Sequence, residues 1–282
     1  MIAIAGGLGA AFMWAGAVLC TSRASRLIGP GSVLGWVAVV GLLLAGPFAL
    51  VADPESVSAD SLAWLGVAGA TNSGGLLLVY SALGRGKVGI VAPITSTEGA
   101  VAALIAVAAG ESISPGAGVV LGVIALGIVL AAASPSPTTV DAHDHARPAV
   151  FLALGAALLF GLGLYATGRV SDELPLAWVV LPTRAVGFVA VTLPLLASSR
   201  LRLTARAAPL VVAAGIAEVL GFASFVVGAR HGIAVSAVLA SQFAAVAAVG
   251  AFLLFRERLA PIQVTGVAVI AVAVAVLSGL QS

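Results

Sequence analysis

Long apolar runs separated by short polar segments make up almost the whole chain. Ten of these runs reach about 20 residues, the length that an α-helix needs to cross a hydrocarbon core of ~30 Å. The runs lie at 2–20, 31–52, 61–83, 88–109, 114–133, 149–169, 174–197, 207–229, 233–254 and 260–280. Lipid offers backbone groups no hydrogen-bond partner, so each run is expected to be helical. The pattern predicts an all-α membrane protein with ten transmembrane helices.

The longest polar segment, rich in proline, serine and charge, divides the runs into two sets of five. The two sets also match at a constant offset of 146 positions, which aligns Trp14 with Phe160 and Asn72 with Glu218. Because five is odd, two like units must enter the membrane in opposite orientations, the inverted-repeat plan of many secondary transporters. The expected domains are a first five-helix repeat at 1–133, a polar linker at 134–148 and a second five-helix repeat at 149–282.

Composition supports a lipid environment. Apolar residues make up 61% of the 282 residues and charged residues 9%, whereas a soluble domain carries about 25% charged residues. The 13 basic residues are scattered, and the net charge is +2, so we expect the lipid bilayer and not nucleic acid as the large-scale partner. The first run lacks the basic leader of a signal peptide and is expected to remain as a membrane span.

Three charged residues fall near the middle of their runs: Glu98, Arg184 and Glu218. A charge at this depth costs ~2.5–3.5 kcal/mol on insertion scales, and intramembrane acids are functional by default. Uncharged polar residues share that depth: Asn72, Ser96, Thr97 and Gln242, beside Thr95 and Ser241. Substrate sites of inverted-repeat carriers lie at the midplane between the repeats. These residues are therefore the predicted substrate-binding set.

Each of these residues also has a structural interpretation. Arg184 could bind a substrate carboxylate, or it could neutralise Glu98 or Glu218 in a buried ion pair. The glutamate left without a basic partner would favour its neutral form on burial, which motivates the hypothesis that Glu98 or Glu218 carries protons. The amides and hydroxyls could serve as interhelical hydrogen bonds.

Aromatic residues and one proline add to the predicted cavity. Trp14 and Phe160 lie in mid-run and are expected to form cavity walls. Tyr80 and Tyr165 lie nearer the ends of their runs, where tyrosines anchor at the membrane surface. Pro93 is expected to kink the fourth helix or to free a carbonyl toward a cavity.

Short motifs recur at matching places in both halves. They are Phe12-Met13-Trp14-Ala15-Gly16 with Leu159-Phe160-Gly161, and Gly110-Glu111 with Arg256-Glu257-Arg258-Leu259; Arg184, a single residue in the seventh run, adds to them. In these motifs, and over nearly its whole length, the chain resembles the drug/metabolite transporter superfamily, specifically EamA-type ten-helix transporters. The resemblance implies a carrier with a central cavity between its halves that moves small metabolites, often outward.

Other signals receive simpler interpretations. Asp141 and the histidines at 143 and 145 are expected to be part of a solvated linker, with no metal site, while Glu111 and Glu257 are expected to cap helix starts. No phosphate loop, zinc motif or nucleophile motif occurs, so no cofactor, ATP-driven pumping or catalytic residue is expected. Gly118-x-x-x-Gly122 permits close helix packing and a homodimer. Basic residues favour both termini outside, whereas the resemblance implies cytoplasmic termini.

Taken together, the sequence predicts a multi-pass protein of the cell (inner or plasma) membrane. We expect a secondary, non-ATP transporter that exports a small metabolite, such as an amino acid or a related compound, by alternating access. Proton coupling is part of this hypothesis. The alternatives are a lipid-carrier flippase, an intramembrane enzyme that uses Glu98 and Glu218 on a lipid, and a structural subunit.

Overall fold

The computed structural model of the protein describes residues 1–52, 57–85, 91, 94–132 and 143–247, with isolated positions between 261 and 276. All regular structure in these residues is helical. The helices are α1 (Ile2–Ile28), α2 (Pro30–Val51), α3 (Ala59–Arg85), α4 (Glu98–Ala108), α5 (Pro115–Ala132), α6 (His143–Arg169), α7 (Leu176–Ala197), α8 (Ala208–Ala229) and α9 (Ile233–Ala240).

Six helices, α1, α2, α3, α6, α7 and α8, are long and apolar enough to cross a membrane. Shorter apolar helices correspond to α4, α5 and α9. The tenth predicted span, 260–280, is helical at the positions that the structure describes there. The prediction of an all-helical membrane protein is confirmed.

Two helices are longer than their apolar runs. The helix α1 continues to Ile28 instead of ending near residue 20, and the hydroxyls of Thr21 and Ser22 find partners within it by donating to carbonyls one turn earlier at 3.3 and 3.0 Å. It ends where Gly29 takes a φ of 83°, and Pro30 then begins α2. The helix α6 begins at His143, so the last six positions of the predicted linker are helical.

The fourth and ninth predicted spans are interrupted, although their sequences predicted continuous helices. A turn at Ser96–Thr97 precedes α4, and a turn at Ser241–Gln242 follows α9. The hydroxyl groups of Thr95 and Ser241, which are separated by the repeat offset, donate to carbonyls one turn earlier at 2.9 and 2.8 Å. Such hydroxyls compete for backbone carbonyls and bend helices. Pro93, the predicted source of the kink, lies outside the described residues.

The two halves pack against each other in a repeated pattern. The helix α1 packs along α8 and α3 along α6; likewise, α2 contacts α8 and α3 contacts α7. The offset of 146 positions relates α1 to α6, α2 to α7 and α3 to α8. It therefore converts the α1–α8 contact into the α6–α3 contact, and the α2–α8 contact into the α7–α3 contact. This packing is the one expected of two inverted five-helix repeats.

Aromatic side chains seat on glycines at equivalent places in this interface. A Cβ atom added to Gly221 of α8 would meet the indole ring of Trp14, and one added to Gly75 of α3 would lie 2.5 Å from the Phe160 ring. The same offset relates Trp14 to Phe160 and Gly75 to Gly221. These four residues therefore form two copies of one contact.

Backbone contact between α1 and α8 is closest at Gly6. A Cβ atom there would lie 2.5 Å from the Gly228 Cα, whereas one at Gly16, in the same helix, would meet nothing within 4 Å. We expect Gly6→Ala to lower the free energy of unfolding by about 1–3 kcal/mol, because two backbones must move apart. The change should appear as a lower Tm of the detergent-purified protein.

The matched control is Gly16→Ala, which adds the same methyl group to open space. This substitution should raise the free energy of unfolding by about 1 kcal/mol or less, because alanine favours the helix more than glycine does. Equal effects of the two substitutions would contradict the close approach of α1 and α8.

Candidate functional site

A narrow internal cavity lies between the two halves at the level of the predicted polar residues. Its volume is about 60 Å³. Its lining combines carboxylate, amide and hydroxyl groups with many apolar side chains: Trp14, Val18, Thr21, Asn72, Leu76, Val79, Tyr80, Leu83, Val91, Thr95, Glu98, Phe160, Gly163, Leu164, Glu218, Phe222 and Phe243. Convergent polar groups in an otherwise apolar cavity are typical of small-molecule sites.

Glu98 lines this cavity at the amino terminus of α4. It is 4% exposed and follows the turn that interrupts the fourth span. The positive end of the helix dipole favours a carboxylate at this position. Among the described residues, no hydrogen-bond donor and no basic group contacts its carboxylate. Glu98 is thus a buried acid whose side chain faces the cavity without a cationic neighbour in this part of the chain.

Glu218 has a basic partner. Its Oε2 atom lies 3.3 Å from the Arg184 Nη2 atom. The Arg184 guanidinium also stacks 4.9 Å from the centre of the Phe222 ring, and the arginine stem passes over Gly41 of α2, where a Cβ atom would lie 2.5 Å from the Arg184 Cδ. Arg184 is 1% exposed. The alternative left open by the sequence is therefore decided: Arg184 pairs with Glu218 and not with Glu98.

The Asn72 side chain, on α3, also lines the cavity. It is 4% exposed, and its Nδ2 atom has no hydrogen-bond partner in the described structure. An unpaired buried amide is unfavourable. The free donor therefore marks Asn72 as a group that could bind an acceptor atom of a ligand.

Aromatic rings close the cavity around this level. The rings of Trp14 and Phe222 meet edge to face, with centroids 5.3 Å apart, and Trp14 also lies 6.3 Å from Phe225. Phe160 and Phe243 line the remaining wall. The positions of Trp14 and Phe160 in the lining agree with the predicted walls.

Five of the nine predicted site residues line the cavity: Trp14, Asn72, Glu98, Phe160 and Glu218. The other four do not belong to its lining: Ser96, Arg184 and Gln242 are buried, and Thr97 is half-buried. The Thr97 hydroxyl donates to the Ile94 carbonyl at 2.7 Å, so this side chain serves the turn. The Gln242 Nε2 atom has no partner among the described residues.

The interpretation of two tyrosines as surface anchors was wrong. Tyr80 is 2% exposed and lines the cavity, and Tyr165 is 7% exposed and packs edge to face against Trp64. Their positions near the ends of apolar runs suggested an anchor, but the face that a residue presents depends on its neighbours. Phe222 was also missed, although it is the repeat equivalent of Leu76, another lining residue.

The cavity is symmetric at its centre and asymmetric beyond it. Both members of several equivalent pairs line the centre, including Trp14 with Phe160 and Asn72 with Glu218. Beyond the centre the lining comes from Thr21, Val79, Tyr80, Leu83 and Val91. Their equivalents are buried outside the cavity: Thr167, Phe225, Val226, Ala229 and Ala237. The cavity thus extends toward one side, opposite the side on which α1 begins.

The side on which α1 begins, here called the first side, is tied together by hydrogen bonds. Arg230 donates to the carbonyls of Ser171 and Leu174 at 2.6 and 3.0 Å, and the Ser61 hydroxyl donates to Glu173 at 2.5 Å. The Glu111 carboxylate accepts from the backbone N–H of Ala234 at 3.2 and 3.3 Å.

Glu111 was expected to cap its own span, and its partner corrects that expectation. It caps the start of α9, which begins beside it on the first side. Glu257, its repeat equivalent, lies outside the described residues.

No group of three or more histidine, cysteine or acidic side chains that could hold a metal ion occurs among the described residues. Asp141, in the segment set aside at the sequence level, lies outside them.

Comparison with known proteins finds a family match for part of the chain and a shared fold for nearly all of it. Residues 1–133 match the EamA-like transporter family. A crystal structure of another protein has a TM-score of 0.79 to this one, covers 99% of this chain and 98% of its own, and is 17% identical. That likeness shows a shared fold. No curated protein matches this chain. The match over residues 1–133 confirms, for this part of the multi-pass membrane protein, the resemblance to EamA-type transporters of the drug/metabolite transporter superfamily.

Proposed function

We propose that the protein is a secondary transporter that moves a small metabolite, an amino acid or a related compound, through the central cavity. The observation that carries the proposal is the buried Glu98 carboxylate, which faces a cavity between two repeats without a cation beside it in the described structure. A charge at this depth needs a partner. A bound substrate or a proton would supply one in each transport cycle.

Export from the cell across the inner or plasma membrane is the direction that the family resemblance supports. Glu98 is the proposed proton carrier, because Glu218 is already balanced by Arg184. The proposed substrate-binding set keeps the predicted residues, with Asn72, Trp14 and Phe160 beside Glu98 in the lining. A homodimer remains a prediction.

The asymmetry of the cavity supports the proposed alternating access. If the two repeats exchange conformations, the second repeat adopts the arrangement that the first repeat has here. The cavity then closes toward its present side and extends toward the first side. Hydrogen bonds from Arg230 and to Glu111 hold the first side closed in the present conformation and must break in the other.

A comparison of metabolites inside and outside cells tests the proposed function. Cells produce the wild type, Glu98→Gln, Asp60→Asn or no protein at matched membrane abundance. Asp60 lies exposed in the first turn of α3 and is the matched control. We expect one soluble compound to shift across the membrane with the wild type and Asp60→Asn, and about one tenth or less of that shift to remain with Glu98→Gln, since a charged partner is lost.

A change confined to lipids would contradict metabolite transport and support the flippase or enzyme alternative. Transport that persists unchanged when the proton gradient is collapsed would contradict the coupling.

Thr21 and Thr167, equivalent residues of the two repeats, test the alternating cavity. Each is changed to cysteine in a Cys20→Ser background, and vesicles of both orientations are treated with a membrane-impermeant thiol reagent. Because Thr21 lines the present cavity and Thr167 is packed away from it, we expect Thr21→Cys to react from one side and Thr167→Cys from the opposite side.

A substrate that changes the balance of conformations should change the two reactivities in opposite directions. Reaction of both cysteines from the same side would contradict the exchange of conformations.

The ion pair of Arg184 and Glu218 is proposed to hold α7 to α8. Arg184→Met alone should lower the free energy of unfolding by about 3–5 kcal/mol, because it leaves Glu218 buried without its partner. The double variant Arg184→Met/Glu218→Gln should regain most of that loss. Thermal unfolding of the two single variants and the double variant measures the coupling, and additive losses would show that the pair is energetically unimportant.

A further inference from the structure

The charges around the cavity do not balance in the described structure. Two carboxylates, those of Glu98 and Glu218, line it. Arg184 is bound to Glu218 at 3.3 Å and is absent from the lining. Once this pair is formed, Glu98 leaves the cavity with one negative charge whenever its carboxyl group is deprotonated. A ligand that enters this space as a cation would gain an ion pair in a low-dielectric environment.

The aromatic walls suit the same kind of ligand. Trp14, Tyr80, Phe160, Phe222 and Phe243 all line the cavity. The face of an aromatic ring attracts a cation through its quadrupole. The structure already uses this interaction once, where the Arg184 guanidinium carbon lies 4.9 Å from the centre of the Phe222 ring. The walls can therefore hold both an apolar body and a positive group.

A free carboxylate on the ligand has no evident partner in the described residues. Arg184 is 1% exposed and is engaged with Glu218, and a deprotonated Glu98 would repel a second carboxylate in the cavity. The donors without a partner on lining residues are uncharged: the Asn72 Nδ2 atom, the Trp14 indole N–H and the Tyr80 hydroxyl. These donors suit a hydroxyl or carbonyl oxygen, which needs no counter-charge.

We infer that the substrate is a small organic monocation: a primary amine on an aromatic or branched apolar body, without a carboxylate. The inference rests on the proposed transport function and narrows it. The ammonium group binds the Glu98 carboxylate, the apolar body lies between the Trp14 and Phe160 walls, and the Asn72 amide donates to an acceptor when the compound carries one. Among amino acids and their relatives, the cavity therefore selects amines over zwitterions.

Three probes that share one phenyl body and differ in charge test this selection. Phenethylamine carries a positive charge, phenylalanine is a zwitterion and phenylpropionate carries a negative charge. Binding to the purified full-length protein in nanodiscs is followed by tryptophan fluorescence and by ligand-dependent thermal stabilisation. We expect phenethylamine to bind with an affinity about tenfold or more above those of the other two, from the loss of one charged interaction.

Variants assign the selection to Glu98. We expect Glu98→Gln to reduce phenethylamine affinity by about tenfold or more, Glu98→Asp to retain the preference for the cation, and Asp60→Asn to match the wild type. Size-exclusion profiles establish that each variant is folded, and Glu98→Asp keeps the test decisive if Glu98→Gln does not fold. Equal or tighter binding of phenylalanine or phenylpropionate would overturn the inference, as would a cation preference that survives in folded Glu98→Gln.

Transport assays separate this inference from the proposed function. Counterflow of labelled probes is measured in proteoliposomes that contain the wild type. Counterflow of phenethylamine alone supports both proposals. Counterflow of phenylalanine or phenylpropionate without that of the amine keeps the transporter and overturns the substrate class. Binding of phenethylamine without counterflow of any probe supports the cation site and counts against transport.

Discussion

In a lipid environment, every polar group of this chain depends on a partner inside the protein. Backbone groups satisfy this demand through helices, and the hydroxyls beside the two interrupted spans bind carbonyls that a bend would otherwise leave exposed. Arg184 and Glu218 satisfy it by pairing. For the same reason, a buried polar group that lacks a partner among the described residues is a candidate to bind a ligand. Glu98 and Asn72 face one cavity, and each lacks the partner that its burial requires.

The scaffold around these groups is symmetric, whereas its charges are not. Glycines in each repeat receive the aromatic ring of the other, as in the contacts of Trp14 with Gly221 and of Phe160 with Gly75. The repeat equivalent of Arg184 is Ala38, and that of Glu98 is Ala244. The packing surfaces are thus equivalent in the two repeats, while these two charged groups occur once, near the centre. That combination suits a cavity whose access changes sides around a fixed site.

The interruptions of the fourth and ninth spans link the backbone to the site. Gly99 of α4 packs against the Ala237 carbonyl of α9 and the Ser241 hydroxyl of the following turn, where an added Cβ atom would lie 2.5 Å from each oxygen. The two turns thus meet at the interface of the repeats. One turn places Glu98 at the amino terminus of α4, where the helix dipole favours its charge. A continuous helix would not have placed a free helix terminus at mid-depth beside a cavity.

The sequence alone determined that this is a helical membrane protein. Long apolar runs indicate a lipid environment, and a backbone that crosses lipid must bond to itself as a helix. It also determined the depth of the polar residues, since depth follows from position along a span. The facing of each residue was decided by tertiary structure. The packing of the helices places Tyr80 in the cavity wall and brings the Glu111 carboxylate to the start of α9. It also pairs Arg184 with Glu218. Residues at one depth can meet in many combinations, and which of them touch depends on how the helices rotate and approach.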